Sequence, residues 1–394
     1  MNKYNKYKVG KILLIVLATL GALICLIPIA LGIFLYIELV DVSGISFYKD
    51  AEIKQIQTED EMAYFITEDG KGYVTSYNIY STSRTYRNAE FYSHYALDIP
   101  SPVLFWDGEI EVLEPTGDGT YFITSDKTLY RWSSYYFEVE KIAESVIDID
   151  FDFMKTTQKV QKVYFIDVDY NLWMIDHENA PVHILSDVRQ VQGYHNRIWV
   201  VMNDGVLYEA LENEQGYTLS EPIFEDVVTF DVVATAQRSH QGQVFFYDEE
   251  SLLKPLMNVL TEDGTLYAKG AYNSCHIWNA EYLQVYEIDE WEIIGENVSD
   301  YSVARMGTVM AFRDGTCAYY GFNLQAAAFH EMLYQTLPIT NVKNVYASKF
   351  CVQVEDENKT RYFWGDSNCN VLLYKKEGHD DITSDEPLII DYPS

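Results

Sequence analysis

Val259-Leu260-Thr261-Glu262-Asp263-Gly264-Thr265-Leu266-Tyr267 reads as a complete β-hairpin. An apolar run leads to Thr261, Asp263-Gly264 supplies a tight turn, and Leu266-Tyr267 begins the return. The same order of apolar run, turn and aromatic return occurs seven times between residues 55 and 366. Residues 63–66 turn at Glu68-Asp69-Gly70 and return through Tyr73-Val74. Residues 121–124 turn at Ser125-Asp126-Lys127 and return through Leu129-Tyr130-Arg131-Trp132. Residues 163–166 turn at Asp169-Tyr170-Asn171 and return through Leu172-Trp173. Residues 198–202 turn at Asn203-Asp204-Gly205 and return through Val206-Leu207-Tyr208. After the hairpin at 259–267, residues 309–312 turn at Arg313-Asp314-Gly315 and return through Cys317-Ala318-Tyr319. The last copy, 350–354, turns through Glu357-Asn358-Lys359 and returns through Tyr362-Phe363-Trp364.

Aligned on the returning residue (Tyr73, Tyr130, Trp173, Tyr208, Tyr267, Ala318, Tyr362), the copies step by 57, 43, 35, 59, 51 and 44 residues. These steps match propeller blades of roughly 40–50 residues rather than helical repeats of about 34. Short strands precede several hairpins, at residues 146–150, 188–191 and 342–346, and suit the inner strand of a blade. A hairpin alone cannot bury its apolar face, whereas hairpins arranged radially bury theirs on their neighbours. The chain is therefore expected to be all-β, a seven-bladed β-propeller over residues 55–374, preceded by one N-terminal transmembrane helix. Residues 375–394 read as an acidic C-terminal tail whose only apolar cluster is Leu388-Ile389-Ile390, and either this tail or the N-terminal link could complete a blade and close the ring or remain a frayed terminus. Residues 38–54 read as a juxtamembrane link, with a strand expected at 45–48.

The transmembrane expectation comes from residues 12–37, which carry no charge. At about 1.5 Å per residue they make roughly 39 Å of helix, more than a bilayer's hydrocarbon core of about 30 Å needs. A cleaved signal peptide has a shorter apolar run and a small-residue cleavage site, and neither is present. Lys3, Lys6, Lys8 and Lys11 place residues 1–11 in the cytoplasm and the bulk of the chain outside, a single-pass cell-membrane protein. Of the 28 Lys+Arg and 60 Asp+Glu, all but those four lysines and Glu38 follow residue 40, so residues 41–394 carry a net charge of −35. Such a surface repels nucleic acid, and no nucleic-acid partner is expected. Cys275, Cys317, Cys351 and Cys369 are compatible with two disulfides or with isolated thiols, and Cys317 and Cys351 fall on strands of consecutive repeats.

Residues 260–267, closing at Gly270, resemble the repeat of regulator-of-chromosome-condensation-type propellers, with weaker echoes at Asp314-Gly315-Thr316 and Tyr362-Phe363-Trp364-Gly365. The resemblance implies seven four-stranded blades. The plain lysine-plus-anchor start suggests a membrane-anchored bacterial form, and the nuclear roles of that family's founding members do not suit an acidic ectodomain. Trp106-Asp107 is an isolated Trp-Asp pair, and the sialidase box is missing.

Local signs of catalysis are weak. The eight histidines are scattered singly, and no nucleophile elbow or phosphate loop occurs. Asp148-Ile149-Asp150-Phe151-Asp152 and Asp167-Val168-Asp169-Tyr170-Asn171 have the carboxylate spacing of a calcium loop. They lack its glycine, and alternation with apolar residues is what a half-buried strand shows anyway. No cofactor and no metal is expected. The most suggestive surface is the segment holding Tyr77, Tyr80, Arg84, Tyr86, Arg87, Tyr92 and Tyr95, where Glu90 is the one acid. Tyrosine supplies rigid amphipathic area and arginine directional donors, as binding surfaces require. The same tyrosines would serve equally as packing residues on extra strands. A second, more acidic aromatic cluster runs from Ile277-Trp278 to Trp291.

The sequence thus points to a propeller held outside the membrane by residues 12–37, binding a partner protein or surface glycan noncovalently through a rim. Two alternatives stay open. An extracytoplasmic polysaccharide hydrolase or lyase would need carboxylates converging at the ring centre. A structural subunit of a membrane complex could associate through Ala18 and Ala22.

Overall fold

The computed structural model describes residues 52–59, 62–76, 102–116, 119–133, 138–153, 160–176, 180–194, 196–214, 216–233, 237–238, 244–245, 255–273, 285–304, 306–322, 332–347, 351–366 and 383–389. Among them no helix is long and apolar enough to cross a membrane, and the expected span at 12–37 and the strand at 45–48 lie outside the described residues.

Among the described residues thirty strands form seven four-stranded antiparallel sheets and one small ribbon. Blade 1 holds β1 (Ile53–Glu59), β2 (Met62–Thr67), β3 (Gly72–Ser76) and β4 (Val103–Trp106). Blade 2 holds β5 (Ile110–Thr116), β6 (Gly119–Thr124), β7 (Leu129–Ser133) and β8 (Glu138–Ala143). Blade 3 holds β9 (Val146–Phe153), β10 (Val160–Asp167), β11 (Asn171–Asp176) and β12 (Val182–Ser186). Blade 4 holds β13 (Val188–Tyr194), β14 (Arg197–Met202), β15 (Leu207–Asn213) and β16 (Gly216–Leu219). Blade 5 holds β17 (Val227–Val233), β20 (Leu256–Thr261), β21 (Leu266–Asn273) and β22 (Val285–Gly295), with the ribbon β18 (Gln237–Arg238) and β19 (Val244–Phe245) between its first two strands. Blade 6 holds β23 (Val298–Ala304), β24 (Gly307–Phe312), β25 (Cys317–Phe322) and β26 (Met332–Leu337). Blade 7 holds β27 (Val342–Ala347), β28 (Cys351–Asp356), β29 (Arg361–Asp366) and β30 (Thr383–Ile389).

All seven hairpins read from the sequence are the second and third strands of a blade, and β9, β13 and β27 are the inner strands expected before them. The ring runs past the 55–374 bounds at both ends. It begins at Ile53, and β30 lies inside the stretch read as an acidic tail. Leu388 and Ile389 pair with Phe363 and Tyr362, so the tail's apolar cluster completes blade 7. Pro387 is tolerated in this outermost strand because an edge needs fewer donors.

The turns explain the joints. Gly70, Lys127, Tyr170, Gly205, Gly264 and Gly315 all have φ between 62° and 88°. Each presents its carbonyl oxygen to the first N–H of the next inner strand, from Ile110, Val146, Val188, Val227, Val298 and Val342, at 2.8–3.1 Å. Glycine takes this left-handed backbone without strain, and Lys127 and Tyr170 accept it at a cost of about 1 kcal/mol each. The turns are also fixed internally, since the Thr67, Thr124 and Thr261 hydroxyls donate to Asp69, Asp126 and Asp263 at 2.5–2.7 Å. Those bonds hold the three carboxyls below their ordinary range.

Between the blades lie the cores. The second strands of blades 2 and 5 are buried along their whole length. Tyr64 of blade 1 stands edge-on to Phe105 and to Trp132 of blade 2, and its hydroxyl donates to the Gly119 carbonyl at 2.6 Å. Similar clusters fuse blade 2 to 3, 3 to 4, 4 to 5, and 5 to 6 and 7.

Candidate functional site

At the ring centre, polar side chains of one inner strand hold the backbone of the next. Asp148 and Asp150 of β9 accept from the N–H groups of Val191 and Gly193 on β13. Two residues of β13 repeat the arrangement on β17. Gln190 accepts from the Phe230 N–H and donates to its carbonyl, and Gln192 accepts from the Val232 N–H at 3.4 Å. On β23, Asp300 accepts from Val345 and the Ser302 hydroxyl from the Ala347 N–H on β27. An inner strand has one edge with no further strand beside it, and buried backbone donors left unpaired are costly. The carboxylates at the centre therefore play the part that glutamine and serine play in neighbouring blades.

Burial pushes the Asp148 carboxyl up to about 6 and the Asp150 carboxyl well above its ordinary range, and Asp231 and Asp300 are raised for the same reason. A carboxyl whose folded pKa is raised stabilises the fold fully below its unfolded value near 3.8. That contribution is lost as pH rises through the folded value, here about 6 for Asp148. The ring is thus expected to lose on the order of 2 kcal/mol between pH 4.5 and 7.5 through Asp148 alone. Asp148→Asn and Asp150→Asn keep the acceptor oxygen and remove the titration. Thermal melts across this pH range should flatten in Asp148→Asn and most fully when Asp148→Asn and Asp150→Asn are combined, and a combined variant whose melts are as steep as the parent's would contradict the assignment.

Neither calcium spacing is a loop of ligands. Asp148 and Asp150 lie on β9. Asp167 closes a turn, accepting from the N–H groups of Asp169 and Asn171 at 2.9 and 3.0 Å and from the Trp173 indole at 2.8 Å. Among the described residues no group of three His, Cys, Asp or Glu side chains is placed to hold a metal ion. Cys317 is a free, buried thiol pushed up to about 12 by burial. The expected binding residues Tyr77, Tyr80, Arg84, Tyr86, Arg87, Tyr92 and Tyr95 all fall between β3 and β4, outside the described residues.

A different place on the ring has the shape of a site. Between blades 4 and 5 lies a cleft of about 210 Å³. Its blade 4 wall is Trp199, which is almost fully buried, and Arg197, whose guanidinium stands 4.5 Å above the Trp199 ring. Glu209, directly across the hairpin from Trp199, grips Arg197 through two bonds of 2.7 and 2.9 Å. The blade 5 wall combines apolar Pro255, Met257 and Ile288 with charged Lys269, Glu287 and Asp289.

A bulge opens this wall. Ala268 pairs with Glu292 and Gly270 with Ile288, so Lys269 alone faces Asp289, Glu290 and Trp291. Extra residues bend a strand and re-aim its side chains. Here they carry Ile288 and Asp289 into the cleft, while Trp291 packs on Phe224 at 5.1 Å. Gly270 makes the bend possible with a φ of +112°, at a place where a β-carbon would overlap the Pro255 carbonyl oxygen. Glu287, Ile288 and Asp289 fall within the acidic aromatic cluster read from Ile277-Trp278 to Trp291, whereas the blade 4 wall was not read, although the i, i+2 pair Arg197 and Trp199 on one strand was a usable signal.

No family model matches the chain, and no curated protein matches it. Among solved structures it is similar to yeast RCC1 (Prp20), crystallised with Kap60, at 11% identity over 75% of this chain and 79% of that one, with a TM-score of 0.49. It is also similar to human WBSCR16, at 11% identity over 75% and 85% with a TM-score of 0.48. BamB from Moraxella catarrhalis follows at 12% identity over 83% and 84%, with a TM-score of 0.41. At such identities and scores these likenesses do not speak to what the chain does, and the seven blades stand on its own strand pairing.

Proposed function

We propose that this protein is a membrane-anchored, extracytoplasmic propeller, in its bacterial form a cell-surface scaffold, that binds a partner protein noncovalently through the cleft between blades 4 and 5. The anchor rests on the uncharged run at 12–37 and the four lysines before it. The observation that carries the binding role is the cleft itself. At about 210 Å³ it is smaller than the roughly 300–1,000 Å³ of small-molecule and cofactor sites. It suits one large side chain of a protein, set on Trp199, Met257 and Ile288 and ringed by charges. Interfaces concentrate their energy in such anchor pockets.

A photoreactive residue in place of Asp289, in the full-length chain on intact cells, tests this reading. A discrete protein adduct is expected, lost when Ile288→Trp fills the cleft. The absence of any adduct, an adduct to glycan alone, or one indifferent to Ile288→Trp would each overturn it.

A further inference from the structure

One cross-strand pair recurs in all seven blades, six residues apart around the turn. In blades 1 to 6 it is Ile66 with Gly72, Ile123 with Leu129, Ile166 with Leu172, Val201 with Leu207, Leu260 with Leu266, and Ala311 with Cys317. The first member of every pair belongs to the core that fuses its blade to the next one. In blade 7 the pair is Glu355 with Arg361. The two form an ion pair at 2.9 Å, with side chains only 6% and 13% exposed.

The face they belong to meets blade 1, because Arg361 also donates to the Ile53 carbonyl at 2.7 Å. Asn344 completes the Glu355 shell at 3.1 Å, and Gln353, two residues earlier on β28, is buried on the same face. At the rim Lys359 reaches Glu68 of blade 1 at 2.5 Å. This joint is also the one the chain does not cross. Every other pair of neighbouring blades is joined by the chain passing from one to the next, whereas blade 1 is built from residues 53–106 and blade 7 from 342–389, the two ends of the ring. Burying an apolar pair stabilises a joint outright, whereas burying an ion pair repays little more than the desolvation of its charges.

We propose that the joint between blades 7 and 1 is an ionic latch, at which the closed ring opens and recloses while its other six joints stay shut. Opening there separates Glu355 and Arg361 from Ile53 and hydrates them together, so the charges assist release as well as closure.

Native-state hydrogen exchange on the full-length protein in nanodiscs reads the latch directly. The amides of Phe65, Ile66 and Val354 should be protected about 100-fold less than those of Val200, Val259 and Val309, exchanging through an opening smaller than global unfolding. The double variant Glu355→Leu with Arg361→Leu, which restores the pair type of the other blades, should bring the two sets within about threefold. Arg361→Leu alone should lower protection further in blades 1 and 7 only. Equal protection of the two sets in the parent protein, or a double variant that leaves the difference unchanged, would overturn the latch.

Discussion

Gly270→Ala is expected to destabilise the fold by about 3 to 5 kcal/mol, the largest effect of any single methyl group added to this ring. Two costs combine. A φ of +112° lies where an L side chain is strained, and a β-carbon there would overlap the Pro255 carbonyl oxygen, which belongs to the backbone and has no rotamer to change. The strand would have to give up its bulge, and with it the arrangement of Lys269 opposite Asp289 and Glu290. The unfolding midpoint should fall by about 10 °C. Gly216→Ala is the matched control, since Gly216 has a φ of +122° but nothing within reach of an added carbon. Equal losses in the two variants would show that backbone strain alone, not the approach to Pro255, fixes residue 270 as glycine.

Trp199→Ala is expected to cost about 3 to 5 kcal/mol. Trp199 is 1% exposed and sits in the cluster of Tyr194, Val201, Phe230, Met257 and Val259 that joins blades 4 and 5. Its loss removes the blade 4 wall of the cleft, and Arg197 loses the ring beneath its guanidinium while keeping Glu209. Trp199→Phe should restore most of the stability and only part of the partner binding, because the smaller ring fills the core but leaves the guanidinium without its platform. Chemical denaturation beside photo-cross-linking from residue 289 separates the two. Full cross-linking in Trp199→Ala at a temperature where it stays folded would remove the cleft from the binding site.

The hairpins were legible because each combines an apolar run with a turn that must adopt a left-handed residue. Gly70, Gly205, Gly264 and Gly315 mark four of those turns outright, and Lys127, Tyr170 and Lys359 mark the rest less plainly, beside Asp or Asn. The outer strands were not legible. Glu138–Ala143 is exposed along most of its length, so burial leaves no pattern in it, and β30 lay in a tail read as able to complete a blade, marked only by the apolar cluster Leu388-Ile389-Ile390. The inner-strand carboxylates were visible as an alternating run but not as acceptors for the next blade's N–H groups, since that role depends on neighbours 43 residues away. The cleft depends on a bulge whose position no turn residue announces. The pair behind the proposed latch stood in the aligned repeats and went unread. A pair six residues apart is uncharged in six repeats and Glu355 with Arg361 in the seventh.

The arrangement of the ring is tested most directly by imaging the full-length protein in nanodiscs by single-particle electron microscopy. Seven radial sheets are expected, with residues 53–106 seated beside 342–389 and the ring held on one side of the bilayer. A ring of another blade number, or those two segments on sheets that do not adjoin, would contradict the account.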